Sequence, residues 1–177
     1  AKAIAKAVED AWKNAKPCEL AVGTGKEDTI AHNRRFLMKD GREITHPGKP
    51  GTPKHGEIVR PAGPTDPDVG VIAARAPGGA VTGLVVHFTC HVTVIGGGQY
   101  SADYPGLLRK HLKARYGEAV EVVFLQGCCG DITQVDNRST AKEFGPEHAE
   151  LMGQKLAAEA VRAINRTSWL KDATTGA

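Results

Sequence analysis

Three stretches of this chain carry side chains able to do chemistry. Phe88-Thr89-Cys90-His91-Val92-Thr93 offers an imidazole. Gln126-Gly127-Cys128-Cys129-Gly130-Asp131-Ile132-Thr133 offers thiols, a carboxylate and a hydroxyl, and Asn33-Arg34-Arg35 offers forked guanidinium donors. A histidine such as His91 can bind a metal through a neutral ring nitrogen, act as a general base, or simply hydrogen-bond at a strand end. His87 and His91 are spaced like a helical metal pair, but on a strand they stand roughly 13 Å apart at about 3.3 Å per residue, so they share no ion. Asp131 can orient a metal-bound histidine, hold backbone donors, or do no more than form a turn with Gly130. Arg34 suits a carbonyl, carboxylate or phosphate oxygen, although an arginine pair also fits a solvated face. Read as a nucleophile elbow built on cysteine, Gly127-Cys128-Cys129-Gly130 fails at Asp131, where that frame needs glycine. Small residues in a tight turn are the plainer reading. His32, His46, His55, His111 and His148 show no partner spacing.

These residues need a scaffold, and the apolar patterning supplies one. Val69 to Ala76 and Val81 to Cys90 are strand-like runs separated by Pro77-Gly78-Gly79, which predicts a hairpin. Next, Tyr104 to Tyr116 reads as a helix with Leu107, Leu108 and Leu112 on one face; Ser101 or Asp103 is a natural cap, Pro105 suits the first turn, and Gly117 ends it. Val120 to Leu125 is a buried-type strand. Strand, helix and strand make a right-handed parallel βαβ unit. Open α/β sheets place their sites at the carboxyl ends of strands. The ends of the Val81 and Val120 strands therefore share an edge, where His91, Asp131 and Thr133 converge.

Elsewhere, Ile4, Val8 and Trp12 mark a helix that Pro17 ends, Cys18 to Thr24 a strand, and Ile30 to Met38 an extended piece. No capping residue precedes the first helix, which suggests a segment upstream of Ala1. Residues 41–67, with six Pro and five Gly within the stretch, read as one long loop, a lid or an excursion around a neighbouring part of the protein. A last helix starts near Pro146, with Ala149, Met152, Leu156, Ala160 and Ile164 as its apolar stripe, and the tail from Asp172 to Ala177 reads as frayed. The class is α/β: a mixed sheet with a parallel βαβ unit and flanking helices, one domain over residues 1–177.

Composition narrows the function. The chain has 177 residues, 23 Lys+Arg against 20 Asp+Glu, and 41% hydrophobic residues. That apolar content excludes a disordered chain, and a net charge of +3 drawn from so many mixed charges argues against a nucleic-acid partner. Its apolar runs are too short to span a bilayer. Four Cys are too few for a disulfide scaffold.

Taken in order, several pieces resemble one family, the neutral/alkaline (non-lysosomal) ceramidases, and more closely their bacterial ceramidase-like relatives. The pieces are Gly23-Thr24-Gly25, Asn33-Arg34-Arg35, Gly63-Pro64-Thr65-Asp66-Pro67-Asp68-Val69-Gly70-Val71, Phe88 to Thr93, Ser101-Ala102-Asp103-Tyr104-Pro105-Gly106, Phe124 to Thr133, and a last helix with Gly153 inside it. The resemblance implies a zinc-dependent amidase of sphingolipid metabolism that cleaves the N-acyl bond of ceramide with metal-activated water. It implies that His91 is a zinc ligand and that Arg34 belongs to the active site. The family's Gly-Asp-Val-Ser-Pro stretch maps to Gly130-Asp131-Ile132-Thr133-Gln134, so threonine stands where the family has serine and glutamine where it has proline. Asp131 would orient a ligand or take a proton, and Arg34 or the Thr133 hydroxyl would hold the developing oxyanion.

The family's other zinc ligands lie in a Thr-His-Thr-His-Ser-Gly-Pro stretch upstream and in glutamate and tyrosine residues downstream, none of them in this sequence. The resemblance therefore implies the middle part of a catalytic domain, inactive alone, lacking its flanking parts, acting in the parent protein on a lipid-like amide and secreted or periplasmic. Two other readings stand beside it: a cysteine-nucleophile α/β hydrolase using Cys128 or Cys129, and a partial domain or inactive paralogue without catalysis.

Overall fold

A computed structural model of the chain describes residues 1–170; the tail from Asp172 lies outside the described residues. The chain runs through α1 (Lys2–Lys13), β1 (Glu19–Lys26), β2 (His32–Asn33), β3 (Arg35–Met38), β4 (Glu43–Thr45), a one-turn 3-10 helix (His55–Glu57), β5 (Ile58–Pro61), β6 (Asp68–Arg75), β7 (Val81–Phe88), α2 (Asp103–Tyr116), β8 (Glu121–Gln126), β9 (Ile132–Thr133) and α3 (Pro146–Asn165).

The central sheet has the order β1-β6-β7-β8. β6 and β7 form the expected hairpin, closed by Gly78 at φ +63° and a Gly79 N–H donated to the Ala76 carbonyl at 2.8 Å. β7 and β8 are parallel, from Gly83 opposite Glu121 to Phe88 opposite Gln126. The sheet is thus mixed, and its one parallel pair is the pair joined through α2.

One face of the sheet buries Ala21, Val69, Val71, Ala73, Leu84, Val86 and Phe88 against Leu108 and Leu112 of α2 and Met152, Leu156 and Ala160 of α3. α2 and α3 approach so closely that a Cβ on Gly153 would sit 2.7 Å from the Leu107 Cβ and 2.7 Å from the Leu108 nitrogen. The apolar stripe of α1 finds no such partner among the described residues: Ile4, Val8 and Trp12 are all exposed.

Two small sheets adjoin the central one: β2 with β9, and β3 between β4 and β5. They correct two expectations. The extended piece over residues 30–38 is broken at Arg34, because the Asn33 side-chain oxygen captures the Arg35 N–H at 2.9 Å and turns the chain. Residues 41–67 are not one loop but contain β4, the 3-10 turn and β5. Ile44 pairs with Phe36, and Pro61 sits opposite Phe36 on edge strand β5, where its missing N–H costs no ladder bond. Such three- and four-residue strands carry no alternation long enough to read among prolines and glycines.

Candidate active site

The carboxyl ends of β7 and β8 lie together, as parallel pairing requires. The Gly127 N–H donates to the Phe88 carbonyl at 3.0 Å, and beyond it the His91 N–H donates to the Ile132 carbonyl at 3.2 Å. His91 is therefore laced to the turn that carries Asp131. β2 comes in from the other side: Asn33 pairs with Ile132, and the Arg34 N–H donates to the Asp131 carbonyl at 2.8 Å. Three segments distant in sequence meet at one sheet edge.

Within this junction Asn33, 4% exposed, is the central clamp. Its amide donates to Asp131 Oδ2 at 2.7 Å and to the Pro64 carbonyl at 3.3 Å. Among the described residues, Asp131 Oδ1 has no hydrogen-bond partner and stays available. Arg34 folds one guanidinium nitrogen onto the Gly130 carbonyl at 2.7 Å, while its Nε is buried and unpartnered. The Nδ1 of His91 is likewise buried and unpartnered. Unsatisfied buried donors and acceptors are uncommon in folded proteins, and here two occur at one edge.

The N-terminus of α2 fixes the stretch around His91. The Tyr104 hydroxyl donates to the Cys90 carbonyl at 2.9 Å. Asp103 Oδ2 accepts the Val94 and Ile95 N–H groups at 2.9 and 2.8 Å, and its Oδ1 accepts the Tyr104 N–H at 2.7 Å. Ser101 Oγ in turn accepts the Asp103 N–H at 3.0 Å, but neither expected residue is the N-cap: that position falls on Ala102, which has no side-chain cap bond, and Asp103 spends its Oδ2 on the Val94–Ile95 backbone instead. Asp103 takes φ +53°, an uncommon conformation for a side chain other than glycine. Cys90, buried beneath, has its thiol pushed up to about 12 by burial.

Thr133 differs from its expected part. It is buried, and its hydroxyl donates to Gln134 Oε1 at 3.0 Å, so its proton is committed away from an incoming oxyanion. The cysteines carry no elbow: Cys128 is exposed, Cys129 accepts from the Gln126 amide, and neither sulfur has a histidine partner among the described residues. Gly127 is required where it stands, since a Cβ there would lie 2.2 Å from Thr89 Oγ1.

Residues without a partner spacing in the sequence gain partners in space. A cavity of about 270 Å³ next to Asn33 is lined by His32, Phe36, Gly63, Thr65, Asp136 and Arg138, among others. Burial lowers the pKa of His32, and of His148 nearby, while Asp136 and Glu143 pull His32 upward. Asp136 is pushed up by burial, but the hydrogen bonds from Arg138 outweigh this and leave its carboxyl below the usual range. Asn33, Asp103 and Tyr104 went unrecognised as site residues: Asn33 acts on Asp131, far away in sequence, and Asp103 and Tyr104 act on the backbone of the stretch just before their helix.

Metal ligation can be tested on these donors. The buried, unpartnered Nδ1 of His91 fits one metal ligand. Among the described residues no group of three or more His, Cys, Asp or Glu is placed to hold an ion. The described residues thus bring fewer than three ligands to such a centre, and His91 is the one with an unused buried nitrogen.

Comparison with solved structures gives the arrangement a precedent. The chain superposes on a crystal structure of neutral ceramidase from Pseudomonas aeruginosa with a TM-score of 0.65, over 92% of its own length, at 18% identity. Its fold is that of part of a neutral ceramidase. A second structure, a ceramidase complexed with C2, matches over 89% of this chain with a TM-score of 0.64 at 17% identity. The chain spans about a quarter of the length of these ceramidases, 25% and 24% respectively. No family model matches the sequence, and neither does any curated protein. Like the ceramidase resemblance in its motifs, the superposition covers nearly the whole chain. Among the described residues no helix is long and apolar enough to cross a membrane.

Proposed function

We propose that the protein containing this chain is a zinc-dependent amide hydrolase of the neutral-ceramidase type, acting on the N-acyl bond of a ceramide-like lipid. The observation that carries this reading is the junction of the His91 strand end, the Asp131 turn and Arg34, on a fold shared with neutral ceramidases. His91 would be one zinc ligand; the others come from outside the described residues. Zinc, when bound, supplies Lewis acidity and a nucleophilic water at neutral pH. Arg34 holds the acyl oxygen: its buried Nε–H is an unused donor, and charge developing on that oxygen strengthens the bond. Asp131 receives a proton at Oδ1, while the Asn33 amide on Oδ2 keeps the carboxylate oriented. Thr133 and Gln134 shape the turn behind Asp131. A lipid-like amide substrate is consistent with export of the parent protein to the periplasm or beyond.

The test uses the full-length polypeptide and a fluorescent N-acyl sphingoid substrate. Hydrolysis should stop on dialysis against a chelator, return with zinc, and survive alkylation of exposed thiols. Activity that withstands the chelator but disappears on alkylation would transfer the chemistry to Cys128 or Cys129. No amide hydrolysis by the zinc-loaded full-length protein would support the non-catalytic reading.

A further inference from the structure

Residues 136–143, between β9 and α3, form no helix or strand, yet Asn137 is 2% exposed and Glu143 7%. These two are its only buried residues, while Arg138, Thr140, Ala141 and Lys142 are exposed, so the segment is held at its anchor points, and its carbonyls, lacking a ladder, take donors from elsewhere. They come from one side chain on the 41–67 stretch. The Lys49 ammonium lies 2.6 Å from Glu143 Oε2, 2.7 Å from the Ala141 carbonyl, 3.2 Å from the Ser139 carbonyl and 3.4 Å from the Asp136 carbonyl. Glu143 Oε2 also accepts the Asp136 N–H at 3.0 Å, which closes the segment on itself. Two lesser ties flank the lysine: His46 Nδ1 meets Asn137 Oδ1 at 3.2 Å, and the Asn137 amide donates to the Gly48 carbonyl at 3.3 Å.

We propose that Lys49 is a positioning residue whose ammonium, as common donor to residues 136–143, sets the conformation of this segment and with it the Asp136–Arg138 wall of the cavity beside Asn33. Four oxygens around one ammonium exceed its three N–H groups, so the segment is wrapped around the cation rather than merely tethered to it. Asp136 and Arg138 are bonded to each other at 3.0 Å and line that cavity, and Asn33, which also lines it, holds Asp131. Lys49, which itself bonds to no group of the candidate site, thereby controls the space next to it. Any effect on substrate rests on the hydrolase reading above; the conformational claim does not.

The experiment is amide hydrogen exchange on the full-length protein. The reporters are the N–H groups of Asp136, Arg138, Ser139 and Ala141, each bonded within the segment. In Lys49→Ala they should exchange at least about tenfold faster, the loss expected when a partly buried carboxylate loses its cation. Val71 and Val86 in the sheet should keep their parent rates, which shows that the variant is folded. Methylammonium, which has N–H groups, should slow the four amides again, whereas tetramethylammonium, which has none, should not. If Lys49→Ala does not fold, Lys49→Met keeps the aliphatic stem and is read in the same way. Unchanged exchange in the variant, or equal restoration by both cations, would overturn the proposal. In the hydrolase assay the variant should raise KM more than it lowers kcat. Should no hydrolysis exist at all, the exchange result still decides the role of Lys49.

Discussion

Removing the Asn33 side chain should loosen the junction that the functional reading depends on. Asn33→Ala deletes one hydrogen bond to a carboxylate, at 2.7 Å, and two to neutral groups, at 3.3 and 2.9 Å. A bond to a charged group contributes about 1.5–3 kcal/mol and a neutral one about 1 kcal/mol. The Pro64 contact is long, and half-exposed Asp131 regains water, so the expected loss is about 2–4 kcal/mol. At about 2–4 °C per kcal/mol this lowers Tm by roughly 5–15 °C. Asn33→Asp probes the same contact with a sign. It keeps the oxygen that accepts from Arg35 but sets a second carboxylate against Asp131. Like charges that close favour the protonated form, so the folded-state pKa of the pair rises above its unfolded value of about 3.9. A carboxyl pKa raised by folding means that the folded state holds more protons there. Asn33→Asp should therefore be least damaging below about pH 4, and its deficit should grow as pH rises through the folded pKa and then level off. Urea unfolding across pH 3–8 measures both variants. Asn33→Ala within about 0.5 kcal/mol of the parent, the range of an ordinary surface change, would refute the clamp; so would an Asn33→Asp deficit that does not vary with pH.

Further outcomes follow from the same contacts. Gly153→Ala should destabilise by about 1–3 kcal/mol in urea unfolding despite the better helix propensity of alanine, since the new Cβ meets backbone of α2 at 2.7 Å; a stabilised variant would contradict the close crossing of α2 and α3. Iodoacetamide at pH 8 should label exposed Cys18 and Cys128, and reach Cys90, whose thiol is held at about 12, only after unfolding; peptide mass mapping reads the order. For His32 and His148, pKa values lowered from 6.5 mean that the unfolded state takes up protons first. Their contribution to stability is complete above about pH 6.5 and declines as pH falls through the folded values. Replacing both with glutamine should remove that slope from the stability–pH curve.

The hairpin of β6 and β7, the parallel return through α2 and the stripe of α3 were legible because each rests on local pattern: long β-branched runs, a Pro-Gly-Gly turn, apolar residues at helical spacing. That local pattern also put His91 and Asp131 on one edge, since parallel pairing leaves no other arrangement. What escaped was set by contacts distant in sequence. β4 and β5 are too short to show alternation and form only because β3 lies between them. The break at Arg34 depends on an asparagine side chain outcompeting the ladder, and the segment at 136–143 takes its shape from a lysine on another loop. Thr133 is an exception of another kind: its acceptor, Gln134, is its neighbour in the chain, and only the side-chain conformation that joins them was hidden.

The most direct test of the central claim compares the full-length parent with His91→Ala, measuring bound zinc by elemental analysis alongside hydrolysis of an N-acyl sphingoid amide. The account predicts that the parent binds zinc and cleaves the amide, while the variant keeps its fold by circular dichroism and loses both metal and activity. A folded His91→Ala protein that retains its zinc and still cleaves the substrate would contradict it.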